Sequence, residues 1–97
     1  MIDTLKITDD VLPKFPKHVK FRYNKPRDEW VILAPERLVK LDDIAVEILK
    51  LVDGENSVRI ISKQLSKKFN APEDVILKDV KEMLQDLSDK GFIEENG

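Results

Sequence analysis

The spacing of the apolar side chains changes near residue 40. Before that point they alternate with polar residues, which is typical of strands, and after it they recur at helical spacing. The first strand has an apolar face formed by Val19, Phe21 and Tyr23, which we expect to be buried. An entirely apolar run at 30–34 and a third segment at 37–41 follow. The chain therefore begins with three predicted strands.

The connections between these strands are short. Residues 24–28 and 35–36 have the composition of turns, and such brief links require antiparallel neighbours. The three segments therefore predict an antiparallel meander in which the third strand lies at an edge. An edge strand offers unpaired N–H and C=O groups to any chain that comes alongside.

Three helices are predicted after residue 41. Asp42 is expected to cap the first helix, because its carboxylate can accept N–H bonds from the first turn. Gly54 is expected to end that helix, and Ser57 is expected to cap the second. The apolar stripes of the three helices are Ile44, Ala45, Ile48, Leu49 and Val52; Val58, Ile61, Leu65 and Phe69; and Ile76, Val80, Met83, Leu84 and Leu87.

This order of elements places the chain in the α+β class, with a three-stranded antiparallel sheet followed by three helices. Helices at 57–69 and 73–90, separated by a short break, are winged helix-turn-helix-like. Residues 1–16 show little periodicity and contain two prolines, so we expect an N-terminal arm that is partly flexible. Residues 17–97 are then the folded domain.

Composition narrows the class of function. Ninety-seven residues, 41% of them hydrophobic, favour one domain with one modest core. The formal net charge of -2 argues against binding nucleic acid through bulk charge. No apolar run is long enough to cross a membrane, and the acidic N-terminal sequence lacks the features of a signal peptide. We expect a cytoplasmic protein whose partners are neither nucleic acid nor membrane.

Residue types that carry catalysis are scarce. The chain has no cysteine, which excludes thiolate nucleophiles and thiolate metal sites. His18 is the single histidine, and no metal-ligand spacing surrounds it. Asp42 and Asp43 form a carboxylate pair, but capping of the first helix explains them. We therefore expect no catalytic activity, no cofactor and no metal.

One segment is strongly basic. Between Pro13 and Arg27 there are six basic residues and no acidic one. Such a patch can steer an acidic partner, although a solvated strand face has the same composition. The residues that we assign to partner docking are Lys17, Lys20, Arg22, Lys25 and Arg27.

A DNA-binding regulator is the alternative function that the helix-turn-helix arrangement leaves open. The helix at 73–90 would then be the recognition helix. It carries six acidic residues and three lysines, however, and phosphates would repel that balance of charge. Charge therefore favours a different partner.

Several motifs, taken together and in this order, resemble the PqqD family. Each is weakly specific alone, but their order and spacing between residues 12 and 92 are specific. One departure is Val52, where many relatives have cysteine. The motifs are PKFPKHV at 13–19, the hairpin at 21–27, WVILAPER at 30–37, DIAVEIL at 43–49, Asp53-Gly54, Asp79-Val80, LQDL at 84–87 and KGF at 90–92.

The resemblance implies a stand-alone peptide-recognition module that binds the precursor peptide PqqA and presents it to the radical SAM enzyme PqqE. In such modules the peptide lies as an added strand beside the third strand and against the third helix. A recognition element of another ribosomal-peptide pathway would carry the same motifs. The residues that the resemblance assigns to peptide binding are Arg37, Leu38, Val39, Lys40 and Leu41 of the strand and Ile76, Val80, Lys81 and Leu84 of the helix.

Overall fold

The structure, a computed structural model, describes residues 5–96. It confirms the predicted α+β class, with an antiparallel three-stranded sheet followed by three helices. Two short strands near the chain ends form a second, two-stranded sheet. The elements are β1 (Pro13–Lys14), β2 (Lys20–Asn24), β3 (Glu29–Ala34), β4 (Arg37–Lys40), α1 (Asp43–Leu49), α2 (Val58–Phe69), α3 (Glu73–Asp89) and β5 (Glu94–Glu95).

The larger sheet has the order β2-β3-β4, which confirms that the third strand of the meander is an edge. Side chains alternate across the sheet, so each strand contributes to an inner face and an outer face. Ile32 lies at the centre of the inner face, between Phe21 and Val39, and is completely buried against the helices. The inner face of the sheet therefore shares one apolar core with the helices.

The N-terminal segment packs into the same core. Ile7 and Val11 are 5% and 4% exposed and belong to the main apolar cluster. The carbonyl of Val11 accepts a hydrogen bond from the N–H of Val58, and that of Asp9 accepts one from Arg59. These carbonyls satisfy donors at the N-terminus of α2 that have no partner within the helix. The first four residues of the predicted arm lie outside the described range.

The predicted N-caps are confirmed, whereas the predicted end of α1 is wrong. The Asp42 carboxylate accepts from the Ala45 N–H at 2.7 Å, and the Ser57 hydroxyl accepts from Ile60 at 3.1 Å. Helix α1 ends at Leu49, and Gly54 lies beyond it in a loop with a φ of +82°. There its N–H donates to the carbonyl of Pro13, so the glycine serves a long-range junction rather than a helix cap.

Three apolar residues that the periodicity assigned to the core are exposed: Ile44 by 65%, Phe69 by 47% and Tyr23 by 43%. Ile44 is in the first turn of α1 and Phe69 is the last residue of α2, where neighbouring elements no longer cover the stripe. Tyr23 lies at the hairpin end of β2 and packs edge-on against Trp30, with ring centroids 5.6 Å apart. Within the described part of the chain, no helix has the length and hydropathy to cross a membrane.

Gly54→Ala should destabilise the protein more than Gly91→Ala. Both glycines have positive φ, but an added Cβ at Gly54 would lie 3.2 Å from the Asn96 amide nitrogen and 3.4 Å from the Lys14 Cβ. An added Cβ at Gly91 meets nothing within 4 Å. We expect Gly91→Ala to lower the free energy of unfolding by about 1 kcal/mol through backbone strain alone, and Gly54→Ala to lower it further. Urea titrations of the two variants would measure how much each lowers the free energy of unfolding. Equal losses would contradict the close packing of Gly54 against Asn96 and Lys14.

Asp9→Asn should make the protein less stable at neutral pH and less sensitive to acid. The ammonium of Lys81, which donates a hydrogen bond to the Asp9 carboxylate, lowers the pKa of that carboxyl, and the charges of Lys81 and Arg59 lower it further. A carboxyl whose pKa is lower in the folded state than in the unfolded state stabilises the fold at pH values above its unfolded-state pKa. This stabilisation is lost as the pH falls through the folded-state pKa.

Thermal melts as a function of pH would test this. The parent should lose its advantage over Asp9→Asn as the pH falls below about 4. Asp10→Asn is the control, because the neighbouring Asp10 side chain is 88% exposed and, among the described residues, forms an ion pair with Arg59 alone, at 3.2 Å. If the melting temperatures of the parent and of Asp9→Asn change in parallel as the pH falls, the ion pair between Asp9 and Lys81 does not stabilise the fold.

Candidate peptide-binding site

Strand β4 is an open edge: in the described part of the chain its one strand neighbour is β3. The register pairs Ala34 with Arg37 across a two-residue turn that begins at Pro35. In a two-residue hairpin the flanking residues, here Ala34 and Arg37, form the hydrogen-bonded pair that closes the turn. Hydrogen-bonded and non-hydrogen-bonded pairs alternate, so the main-chain groups of Leu38 and Lys40 point away from β3.

The side chains of the edge divide between the two faces of the sheet. Arg37, Val39 and Leu41 share the inner face, where Val39 and Leu41 pack against the core. The Arg37 guanidinium lies 5.9 Å from the centroid of the Phe92 ring, just beyond α3. Leu38 and Lys40 are exposed on the outer face, and Leu38 is 50% exposed.

The four helix residues that sequence assigned to peptide binding occupy different environments. Val80 and Leu84 are 1% and 0% exposed, so they pack within the core and present almost no surface. Lys81 forms an ion pair with Asp9 and therefore faces the N-terminal segment. Ile76 is partly buried and is the most accessible apolar member of the four.

An apolar cleft of about 200 Å³ lies among the three helices. Ile44 and Phe69, both well exposed, belong to its lining, and Ile76 and Val80 of the sequence-predicted site also contribute. Sequence reasoning missed the two exposed residues because helical spacing placed them in core stripes. The position of each residue near the end of a helix was the signal that could have identified it as exposed. The complete lining is Ile44, Ile48, Leu65, Phe69, Ile76, Asp79 and Val80.

A wider open cavity of about 550 Å³ shares Ile44 and Phe69 with this cleft and extends to Leu41 at the end of β4. Trp30 forms part of its wall, and the Lys50 ammonium lies 5.3 Å from the centroid of that ring. The cleft and the cavity together form a continuous depression that begins where the edge strand ends. We call this depression the helix-end groove.

Carboxylate–ammonium contacts line the polar side of the helix-end groove. Glu47 accepts hydrogen bonds from Lys68 and Lys50, the latter at 3.3 Å. The hydrogen bond from Lys68 is the main cause that lowers the pKa of the Glu47 carboxyl, and Lys50 adds to it. The charges of Glu47, Lys68 and Lys50 are therefore already paired with one another.

The basic residues assigned to partner docking are not one patch. Lys20 and Arg22 lie on the outer face of β2, Lys25 and Arg27 lie in a 3-10 turn of the hairpin, and Lys17 lies in the preceding loop. All five are exposed, and none forms an ion pair with another described residue. Their charges are thus available to a partner.

Among residues 5–96, no group of three His, Cys, Asp or Glu side chains lies close enough together to hold a metal ion. His18 is exposed in the loop before β2. Asp42 serves as the cap of α1. The surface features that remain are the open strand edge, the helix-end groove and the exposed cations, all of which suit binding of a polypeptide.

Comparison with known sequences supports a single family. The sequence model of Coenzyme PQQ synthesis protein D (PqqD) matches residues 29–93. The chain is 50% identical over 91 residues to the PqqA binding protein of Bradyrhizobium diazoefficiens, covering 94% of this chain and 88% of that protein. It is 41% identical over 83 residues to the bifunctional coenzyme PQQ synthesis protein C/D of Methylorubrum extorquens, covering 86% of this chain and 22% of that protein.

Two solved structures have the same fold. One is the solution NMR structure of the PqqD truncation of Methylobacterium extorquens PqqCD, described as a functional, stand-alone recognition element for ribosomally synthesized and post-translationally modified peptides. It is 39% identical, has a TM-score of 0.78 and covers 91% of this chain and 94% of that one. The other is the crystal structure of PqqD from Xanthomonas campestris, which is 38% identical, has a TM-score of 0.56 and covers 88% and 94%. The chain described here thus belongs to the PqqD family.

Proposed function

We propose that this chain is a non-catalytic peptide-binding adaptor of pyrroloquinoline quinone biosynthesis. It binds the precursor peptide PqqA as a strand added to β4 and presents the peptide to the radical SAM enzyme PqqE. The observation that carries the proposal is the open edge of β4, where Leu38 and Lys40 direct their main-chain groups outward. The relatives named PqqA binding proteins support PqqA as the peptide.

Main-chain pairing explains how the edge gains affinity without a fixed peptide sequence. An added strand exchanges N–H···O=C bonds with the outward groups of β4, so part of the binding free energy is independent of side chains. Alternate peptide residues then face the inner side of the sheet, near Val39 and Leu41, and the outer side, near Leu38. Selectivity must come from the pockets that those alternate residues enter.

The helix-end groove is the pocket best suited to give that selectivity. It begins at Leu41, so a peptide that continues past the end of β4 enters it. Its apolar walls include the exposed Ile44 and Phe69 and the partly buried Ile76. We assign it to one large apolar side chain of the peptide, since burying such a side chain yields about 1.5–3 kcal/mol.

Presentation to PqqE follows from the geometry of strand addition. The peptide would occupy the edge in the plane of the sheet, which leaves its flanking segments outside the domain. The adaptor then raises the effective concentration of those segments near the enzyme without changing them chemically. The same geometry would serve a different precursor in another ribosomal-peptide pathway, and the choice of peptide is what the experiments below determine.

Proline substitution at two adjacent positions of β4 should separate peptide binding from folding. Lys40 directs its N–H outward, so Lys40→Pro removes one donor from the open edge. We expect the variant to fold and to lose about 1–3 kcal/mol of affinity for PqqA. Val39 directs its N–H toward β3, so Val39→Pro should break the ladder and lower the melting temperature instead.

Titration calorimetry with synthetic PqqA, alongside thermal melts, measures both effects. A folded Lys40→Pro variant that binds PqqA as tightly as the parent would refute strand addition at this edge. Lys63→Ala, on the exposed face of α2, controls for the loss of a lysine.

Phe69→Ala should weaken PqqA binding while leaving the fold nearly unchanged. The ring is 47% exposed, so its removal creates no closed cavity in the free protein. It lines the helix-end groove, and we expect its loss to cost about 1–2 kcal/mol of peptide affinity. Val75→Ala is the matched control, because Val75 is an exposed apolar residue of α3 that lines none of the groove. If Phe69→Ala and Val75→Ala bind PqqA equally tightly, the helix-end groove is not part of the binding site.

A further inference from the structure

The segment around β4 has a charge pattern that is complementary to itself. Residues 36–40 read Glu-Arg-Leu-Val-Lys, with an acidic residue at one end and a basic residue at the other. If two copies of this segment lie antiparallel with Leu38 at the centre, Glu36 of each copy comes beside Lys40 of the other. Both side chains are exposed, and neither forms an ion pair within residues 5–96. Two copies would therefore pair each of these charges with its opposite.

The main chain of β4 also suits this arrangement. The N–H and C=O of Leu38 point away from β3, so two antiparallel copies centred on Leu38 exchange both hydrogen bonds there. Glu36 lies in the turn before β4 and contributes its side chain rather than a main-chain pair. A twofold axis perpendicular to the sheet keeps the two inner faces on one side. The result is a continuous six-stranded sheet with the order β2-β3-β4-β4-β3-β2.

Other symmetric registers of the same two strands are less favourable. An axis at residue 37 or residue 40 would set two identical cations opposite each other, and like charges in that position destabilise a sheet. An axis at Val39 would bring Glu36 beside Asp42, which is again a pair of like charges. Charged residues on an edge strand normally discourage pairing with other chains. On this edge they exclude the competing registers and favour the one centred on Leu38.

Exposed leucines on the outer face of the sheet provide an apolar contact at the same axis. Leu33 of β3 pairs with Leu38 of β4, and the two side chains are 36% and 50% exposed. Both are absent from the apolar core cluster, to which their inner-face neighbours Ile32 and Val39 belong. In the symmetric pair, the two copies of Leu38 are cross-strand neighbours and each has a Leu33 on its other side. Four leucines then form one apolar strip across the junction, which accounts for their exposure in the single chain.

We propose that a second copy of this chain pairs with β4 through its own β4, forming a twofold dimer in which the peptide edge is closed. The dimer follows from β4 itself, whereas its competition with the peptide rests on the proposed function. Both partners use the outward main-chain groups of Leu38, so they exclude each other. One strand pair is a small interface, and we expect a dissociation constant of about 100 µM. Such a dimer covers the edge of the free chain and yields to a peptide that binds more tightly.

Charge reversal at either end of the segment tests the proposed dimer. Sedimentation equilibrium of the full chain at concentrations up to about 1 mM measures self-association. Glu36→Lys and Lys40→Glu should each raise the dimer dissociation constant about fivefold or more, because two pairs of opposite charges become two pairs of like charges. Glu55→Lys, which reverses an exposed acidic residue in the loop after α1, should dimerise like the parent. Leu38→Ser should also weaken the dimer, because it removes the apolar contact at the axis.

Mixing the two charge variants separates a lost contact from a damaged fold. In a heterodimer of Glu36→Lys with Lys40→Glu, the introduced lysine faces the introduced glutamate, and the remaining native Lys40 faces the remaining native Glu36. We therefore expect the equimolar mixture to recover the affinity of the parent to within about twofold, although each variant alone stays monomeric. Misfolded chains would show no such recovery, and circular dichroism melts check the fold of each variant.

A parent that stays monomeric at about 1 mM would overturn the proposal, as would a dimer that neither charge variant weakens. Saturating synthetic PqqA should dissociate the dimer, because the peptide takes the same edge. A dimer that obeys the charge exchange but persists with PqqA bound would overturn the competition and refute strand addition at β4. A parent that dimerises in this way but does not bind PqqA would refute the proposed peptide and support the dimer.

Discussion

The register of the β3–β4 hairpin is the constraint on which the functional side of the molecule depends. The two-residue turn at 35–36 pairs Ala34 with Arg37, and every later pair of β3 and β4 follows from that register. A shift by one residue would exchange the two faces of β4, because side chains alternate along a strand. Val39 would then leave the core, and Leu38 would enter it. The register thus determines which main-chain groups face outward and which side chains surround them.

The helices bury only part of their apolar stripes. A cluster of three short helices buries the centre of each apolar stripe but leaves the helix ends uncovered. Ile44 and Phe69 are exposed for this reason, and the groove between them is a consequence of how α1 and α2 terminate. The same apolar stripes therefore supply both the core and the helix-end groove. Val80 and Leu84 are buried in the interior, whereas Ile76, one turn before Val80, reaches the surface.

Local signals in the sequence were sufficient for the order of the three meander strands and the three helices, the caps at Asp42 and Ser57 and the edge position of β4, but not for β1 and β5, which pair across the chain. Each depends on residues that are close together in the chain. Periodicity could not locate the exposed apolar residues, because it identifies a face without showing what covers it. β3 is the central strand of the sheet and its run at 30–34 is entirely apolar, yet Leu33 of that run faces solvent. Contacts such as Lys81 with Asp9 join residues far apart in sequence, and no local pattern encodes them.

Both ends of the described chain meet at one place. Residues 13–14 pair with 94–95, the Asn96 amide donates to the Gly54 carbonyl at 2.7 Å, and the Gly54 N–H donates to Pro13. A junction that joins the start, the middle and the end of the sequence has a high contact order, which slows folding. During synthesis, the N-terminal segment cannot complete its pairing before residue 96 has left the ribosome. The sheet and helices assemble from nearby contacts, and the domain closes only when residues 94–96 are free to pair with the N-terminal segment and Gly54.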